Sequence, residues 1–237
     1  MNKPYAIVQA RMDSKRLPGK VLREAKGKPL LEYVIERLAQ SKNLEGTIVA
    51  TSIEKTDDPI FQYCTQKKIK CYRGSLDNVA SRFFDLLNEF RISVFVRISA
   101  DSPLIDSRLV DQAIEIFKEG DFDLVTNVLK RTFPKGQSVE VVSAKRFTES
   151  FSEMASAEEL EHVTKYFYTH PTSFKISNFT AGNQDYSKIN FCVDTQDDFN
   201  QFLLILERMT KPYLQYSWLE LVNIFKNLKS ESPVCLN

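Results

Sequence analysis

Short hydrophobic runs alternate with amphipathic patterns through the first half of the chain. Apolar runs of four or five residues, bounded by polar residues, predict buried strands at 5–9, 47–51, 69–73, 94–98 and 123–126. Between them, apolar residues recur every three or four positions, which predicts helices at 30–38, 59–66, 79–90 and 109–117. This alternation predicts an α/β fold, with a mostly parallel sheet and helices on both of its faces.

The second half follows a less regular pattern. Alternating residues predict strands at 137–143, 174–179 and 189–193, and helical periodicity predicts helices at 145–154, 157–169, 199–206 and 218–228. The chain has only 7 glycines, and no flexible linker separates its parts. We therefore expect a single domain over residues 1–237, with an insertion at about 128–188 that acts as a lid or a dimer contact.

The composition excludes several classes of protein. With 43% hydrophobic residues, 17 Phe and 9 Tyr, the chain can bury a core and is not expected to be disordered. No apolar run approaches the roughly 20 residues of a membrane helix, and the N-terminus lacks the apolar stretch of a signal peptide. A cytoplasmic protein is therefore expected. The formal net charge of +1 argues against nucleic acid or a membrane as the partner.

Cysteine and histidine offer no metal site in this sequence. The four cysteines, Cys64, Cys71, Cys192 and Cys235, form no C-x-x-C pair. The two histidines, His162 and His170, lack partners at the spacing of zinc ligands. A metal in this protein should therefore be a hard cation held by carboxylates.

Positive charge is concentrated just after the first predicted strand. Residues 11–28 contain seven Lys or Arg and two acids, an excess of five positive charges. Open α/β sheets bind ligands at the carboxyl ends of their strands, and clustered cations repel one another unless an anion joins them. The cluster therefore favours a polyphosphate ligand over a solvated basic loop. It is not a Walker A motif, since Ser14 replaces its first glycine and Val21 its Ser or Thr.

Two aspartates at predicted strand ends have no evident structural task. Asp106 is better placed than Asp101 to cap the helix at 109–117. Thr195 and Asp198 form a T-x-x-D variant of a capping box, which leaves Asp194 uncommitted. Two such carboxylates beside a polyphosphate loop predict a Mg²⁺ site, although a purely structural role for both remains the alternative.

The loop after the first strand resembles a known family. Residues 9–20, QARMDSKRLPGK, are similar to the A-R-x-x-S-x-R-L-P-G-K signature of sugar-acid cytidylyltransferases, and most similar to their SpsF-like spore-coat polysaccharide branch. Further segments resemble that branch in the same order, at 97–106, 131–136, 139–141, 161–164 and 193–195. The sequence departs from the family at Gln137 and Ser138, where many relatives have an apolar residue and then Asp. This departure leaves the identity of the acceptor open.

The resemblance implies a fold, a reaction and a set of residues. The fold is Rossmann-like, of the nucleotide-diphospho-sugar transferase (GT-A-like) type. The reaction transfers CMP from CTP to an acidic sugar of the ulosonate or nonulosonate type, with release of pyrophosphate, for surface polysaccharide synthesis by a homodimer. The metal, Mg²⁺, is held by Asp101 and Asp194, which with Lys20 form the catalytic set. The nucleotide-binding residues would be Ala10, Arg11, Ser14, Arg16, Lys20, Ser75, Asp77 and Asn78, and the substrate-binding residues Arg97, Glu140 and His162.

Several of these residues have alternative roles. Ser75 or Asp77 could cap the helix at 79–90 instead of reading the cytosine. Arg97 could pair with a nearby acid or with the carboxylate of the acceptor. Glu140 would face solvent or the acceptor pocket, and His162 could be an ordinary helix-surface or packed histidine.

Two other functions compete with nucleotidyl transfer. A GT-A glycosyltransferase has a similar architecture, but such enzymes usually carry a D-x-D pair, and Pro103 replaces its second Asp here. A non-catalytic protein that binds anions or RNA is the third possibility. The near-neutral charge and the lack of a basic-aromatic surface pattern argue against it.

Overall fold

A seven-stranded sheet forms the centre of the structure, a computed structural model that describes residues 2–231. A separate two-stranded hairpin, β2–β3, follows the basic loop. The strands are β1 (Tyr5–Gln9), β2 (Glu24–Ala25), β3 (Lys28–Pro29), β4 (Gly46–Ser52), β5 (Lys70–Gly74), β6 (Val94–Ser99), β7 (Leu124–Thr126), β8 (Glu140–Ser143) and β9 (Ile176–Asn178).

The strand order in the large sheet is β5-β4-β1-β6-β8-β7-β9. Strands β5, β4, β1 and β6 are parallel neighbours, whereas β8 runs antiparallel to both β6 and β7. The predicted α/β fold with a mostly parallel sheet is confirmed. Because the four parallel strands point the same way, the loops that follow them meet at one edge of the sheet.

Nine helices of the described residues cover the sheet and pack beyond it. They are α1 (Leu30–Leu38), α2 (Asp58–Gln66), α3 (Val79–Glu89), α4 (Ser107–Glu119), α5 (Ala144–Phe151), α6 (Ala157–Glu161), α7 (Lys165–Thr169), α8 (Gln196–Glu207) and α9 (Trp218–Glu231). No helix within residues 2–231 is both long and apolar enough to span a membrane.

Alternation along the strands divides the core between the two faces of the sheet. Ala6 and Val8 of β1 face one apolar cluster, and Ile7 between them faces the other. A third cluster joins Leu17 of the basic loop to helices α8 and α9, through residues such as Phe202 and Leu221. The basic loop is therefore anchored in the core by an apolar side chain.

Two predicted elements differ from the structure. The helix predicted at 157–169 is two short helices, because Val163 turns into the core with no exposed surface and interrupts the helical path between α6 and α7. The strand predicted at 189–193 is absent from the described sheet, and Asn190 forms only an isolated bridge with Lys135. There the Asn190 side chain accepts a hydrogen bond from the Cys192 amide at 3.0 Å, which satisfies the backbone locally.

The segment 128–188 contributes directly to the sheet. It supplies β8 and β9, and the helices α5, α6 and α7 lie between these two strands in the chain. Its role as a lid or a dimer contact stays a prediction. Cys64, Cys71 and Cys192 are free thiols, and Cys235 lies outside the described residues.

Candidate active site

The basic loop, residues 10–20, is folded back on itself at the end of β1. The carbonyl of Met12 accepts hydrogen bonds from the amides of Ser14 and Gly19, both at 2.9 Å. A turn of 3₁₀ helix then begins at Lys20, so this lysine is presented from a defined backbone. Such a loop can hold its cations in place before a ligand arrives.

A buried aspartate fixes this loop to the neighbouring strand. Asp57 has no exposed surface, and its Oδ1 accepts a hydrogen bond from the Met12 amide at 2.7 Å. Its Oδ2 accepts from the hydroxyl of Ser52, at the end of β4, at 2.5 Å. From the sequence, Asp57 is indistinguishable from a helix cap before Pro59, yet its side chain forms no capping bond.

Lys20 brings together two aspartates that are far apart in the sequence. Its Nζ donates to Oδ2 of Asp101 at 3.2 Å and to Oδ1 of Asp194 at 2.6 Å. The lysine is 8% exposed, so the ammonium group is largely enclosed by the two carboxylates. The helix caps at Asp106 and Thr195 form as predicted, which leaves both site aspartates free of capping.

The segment that ends at Asp194 is held by backbone contacts. The amide of Val193 donates to the carbonyl of Asp101 at 2.8 Å, which couples the two site segments directly. Gly136 packs so closely against this segment that a Cβ there would lie 2.8 Å from the Cys192 nitrogen. These contacts hold the segment before Asp194 beside Asp101, although this segment forms no regular strand.

Neighbouring cations keep Asp194 ionised. Burial raises the pKa of Asp194, but the hydrogen bond and charge of Lys20, with the charge of Arg16 at 2.9 Å, lower it below its ordinary value overall. An ionised carboxylate is the form that binds a hard cation. Asp194 therefore has the protonation state that a metal ligand requires.

The donor set fits a magnesium ion carried by a nucleotide. Asp101 and Asp194 supply hard carboxylate oxygens, and residues 2–231 contain no group of three or more metal-ligating side chains. Mg²⁺ commonly binds one or two carboxylates and completes its shell with water and substrate phosphates. The pair therefore suits a metal that arrives with phosphates better than a permanent structural ion.

A cavity of about 370 Å³ lies beside these groups. This volume is within the range of small-molecule sites. Its lining includes eight of the predicted site residues: Ala10, Arg11, Ser14, Arg16, Lys20, Asp101, His162 and Asp194. Glu161, which sequence reasoning did not select, also lines it, 3.6 Å from Arg11.

The predicted base-reading loop borders a neighbouring cavity of about 440 Å³. Asp77 and Asn78 line this second cavity together with Arg11 and Glu161. The cap of α3 is Asn78, whose Oδ1 accepts from the Ser81 amide at 2.8 Å, and not Ser75 or Asp77 as the alternative held. The role of Ser75, Asp77 and Asn78 in binding a nucleotide stays a prediction.

Arg97 and Glu140 form a buried ion pair. Their strands place them directly opposite each other, and Nη1 of Arg97 lies 2.5 Å from Oε2 of Glu140. The other oxygen of Glu140 accepts hydrogen bonds from Thr164 at 2.7 Å and Tyr168 at 2.6 Å. The alternative that Glu140 faces solvent is wrong, because β8 extends the sheet and leaves this side chain 3% exposed, and its role in the acceptor pocket stays a prediction.

We expect Glu140→Gln to destabilise the fold by about 2–4 kcal/mol, because it leaves the Arg97 charge without its buried partner. Burial raises the pKa of Glu140, but Arg97, Tyr168 and Thr164 lower it overall, so the native group is charged. Denaturant unfolding measures the change. The control is Glu149→Gln, which removes an exposed ion pair with Arg146 and should cost under about 1 kcal/mol. Equal losses of unfolding free energy in Glu140→Gln and Glu149→Gln would contradict the assignment of a buried ion pair to Arg97 and Glu140.

The fold and this site define a nucleotidyltransferase, and the comparisons identify its family. A family model described as cytidylyltransferase matches residues 5–228. The spore coat polysaccharide biosynthesis protein SpsF of Bacillus subtilis is 31% identical over 216 residues, which cover 88% of this chain and 88% of the relative. The chain belongs to the cytidylyltransferase family.

Two further relatives agree with this result. A solved cytidylyltransferase structure from Leptospira borgpetersenii superposes with a TM-score of 0.91 at 26% identity, covering 100% of both chains. The 8-amino-3,8-dideoxy-manno-octulosonate cytidylyltransferase of Shewanella amazonensis is 29% identical over 125 residues, about half of each chain (51% of this chain and 50% of the relative). The expected Rossmann-like nucleotidyltransferase fold is thereby confirmed.

Proposed function

We propose that this protein transfers CMP from CTP to an acidic sugar and releases pyrophosphate, in the synthesis of a surface polysaccharide. The observation that carries the proposal is the convergence of Lys20, Asp101 and Asp194 beside the basic loop. Its family membership gives the nucleotidyl chemistry, and the named relatives act in polysaccharide synthesis or on an octulosonate, which is an acidic sugar.

In this reaction, a hydroxyl of the acceptor attacks the α-phosphorus of CTP while pyrophosphate leaves on the opposite side. Arg11, Ser14, Arg16 and Lys20 would bind the phosphate oxygens and offset the negative charge that they carry. Asp101 and Asp194 would hold Mg²⁺, which supplies further charge neutralisation when bound. Positioning and electrostatics account for most of such a rate enhancement.

Lys20 links nucleotide binding to the carboxylates. The ammonium group bonds the same two carboxylates that would hold a metal. We therefore expect Mg²⁺ to bind together with the triphosphate, whose oxygens offer Lys20 another partner. The Lys20 ammonium group would then exchange a carboxylate oxygen for a phosphate oxygen and keep a negatively charged partner.

We propose that the acceptor binds in the part of the cavity lined by His162 and Glu161. Arg97 is already paired with Glu140, which also holds Thr164 and Tyr168 near the break between α6 and α7. We propose that this pair positions His162 and acts on the acceptor through it. A homodimer formed through residues 128–188 and a cytoplasmic location, where the CTP pool lies, belong to the same proposal.

The test is a screen of four nucleoside triphosphates against a panel of sugar acids, with Mg²⁺ and a pyrophosphate readout. We expect pyrophosphate release with CTP and an acidic sugar, and none when either is omitted. Hydrolysis of a UDP- or GDP-sugar without use of CTP would instead favour a glycosyltransferase, which the missing second Asp at Pro103 argues against.

A further inference from the structure

A buried arginine lines the active-site cavity. Arg82 of α3 is only 2% exposed, yet it is part of the cavity lining. Its Nε and Nη2 donate to the carbonyl of Ser75 at 2.8 and 2.6 Å, and Nη2 also donates to the carbonyl of Leu76 at 3.1 Å. Its Nη1 donates to the carbonyl of Ala50 at 3.3 Å.

The hydrogen-bond partners of this guanidinium within residues 2–231 are backbone carbonyls, with no carboxylate in contact. Burial lowers the pKa of Arg82 to about 10, opposed by the charge of Asp57, so the side chain remains protonated at neutral pH. Burying a cation in this way is costly. An apolar residue could fill the same space, so a role beyond packing is indicated.

Arg82 joins strand β4 and the loop after β5, and through β4 it is linked to the basic loop. The Ala50 carbonyl, near the end of β4, also accepts from the amide of Ala10 at the start of the basic loop, at 3.0 Å. Ser75 and Leu76 belong to the loop after β5. The approach is so close that a Cβ at position 74 would lie 2.7 Å from Cγ of Arg82, and glycine occupies that position.

The cavity lining combines two kinds of chemistry. Arg16 and Lys20 are cationic and suit phosphate. Val79 and Ala100, which line the cavity together with Arg82, are small and apolar and suit an uncharged ring. A guanidinium has five N–H donors, and the bonds described above use four of them, so the backbone carbonyls fix the orientation of the side chain.

We propose that Arg82 is a positioning residue that sets the preference for a pyrimidine over a purine nucleotide, by fixing the distance between the basic loop and the loop at 75–78. The proposal rests on the proposed function, because it assigns the base of CTP to the part of the cavity lined by Val79 and Arg82. If Arg82 holds the basic loop and the loop at 75–78 at a fixed distance, the larger purine ring is excluded. If the two loops can move apart, the purine ring can enter.

The test measures binding of CTP, UTP, ATP and GTP by calorimetry, without any acceptor. In Arg82→Lys, which keeps the charge and loses the fork, we expect CTP to bind at least about tenfold more weakly, the equivalent of one charged hydrogen bond. The preference for pyrimidine over purine nucleotides should fall at the same time. In turnover assays, KM for CTP should rise more than kcat falls.

The matched control is Arg37→Lys. Arg37 is also buried, at 3% exposed, and also donates to three backbone carbonyls, those of Ile105, Tyr213 and Tyr216. This variant should lower the melting temperature without changing nucleotide preference. A second variant, Gly74→Ala, places a Cβ against Cγ of Arg82. It should weaken the preference for pyrimidine nucleotides although the arginine itself is retained.

Two results would overturn the role of Arg82: a wild-type protein with no pyrimidine preference, or Arg82→Lys and Gly74→Ala variants that keep it unchanged. The proposed function fails separately. A wild-type protein that prefers pyrimidine nucleotides in binding, yet releases no pyrophosphate with any sugar acid, would contradict the reaction and leave the binding test of Arg82 valid.

Discussion

Asp101→Asn and Asp194→Asn are each expected to lower kcat by about a thousandfold or more, with the fold retained. Each change removes one negative charge from the oxygens that converge on Lys20, and a metal held there contributes several kcal/mol of charge stabilisation. Both side chains are partly exposed and neither caps a helix, so the melting temperature should change little. Pyrophosphate release from CTP, measured over a range of Mg²⁺ concentrations, checks the prediction.

The matched control is Asp197→Asn. Asp197 lies three residues after Asp194 in the first turn of α8, is exposed, and loses the same charge in the substitution. We expect this control to keep nearly full activity. Wild-type turnover in both Asp101→Asn and Asp194→Asn would contradict the assignment of a metal site to these residues.

Lys20→Met is expected to weaken CTP binding by about ten- to a hundredfold, the equivalent of one or two charged hydrogen bonds. It also removes the cation that Asp101 and Asp194 share, so their mutual repulsion should draw divalent metal into the site without nucleotide. Titration with Mn²⁺, followed by electron paramagnetic resonance, should therefore show tighter metal binding in the variant than in the wild type.

The control Lys28→Met removes the same amount of positive charge from the basic segment as Lys20→Met, but at a different position. Lys28 belongs to the same basic segment, but its Nζ contacts Glu36 and the hydroxyl of Tyr213, away from the aspartates. We expect CTP affinity to be unchanged in this variant. If Lys28→Met matched Lys20→Met, the general charge of the segment would explain binding, and the assigned geometry would be wrong.

The reasons why Lys20, Asp101 and Asp194 could be predicted from the sequence are physical. Parallel strands carry their following loops to one edge of the sheet, so Lys20 after β1 and Asp101 after β6 had to lie near each other. Asp194 follows no regular strand in the structure, so its predicted place at a strand end is wrong, and its selection depends on the family resemblance and on Thr195 and Asp198, which satisfy the helix cap without it. Local rules thus eliminated the competing roles.

Other site features depend on contacts that no local pattern encodes. Asp57 bonds an amide of the basic loop and Arg82 bonds a carbonyl of β4, and these partners are far away in sequence and come together only once the chain is packed. The pairing of Arg97 with Glu140 needs the antiparallel register of β8 against β6, which alternation alone does not give. The break at Val163 likewise depends on core packing beyond the helical period of α6 and α7.

The most direct test of the central claim is a crystal structure of the protein with CTP and Mg²⁺ in the absence of acceptor. We expect the triphosphate to lie against Arg11, Ser14, Arg16 and Lys20, and one metal ion to join it to both Asp101 and Asp194. A triphosphate bound away from the basic loop, or a metal that contacts neither aspartate, would contradict it.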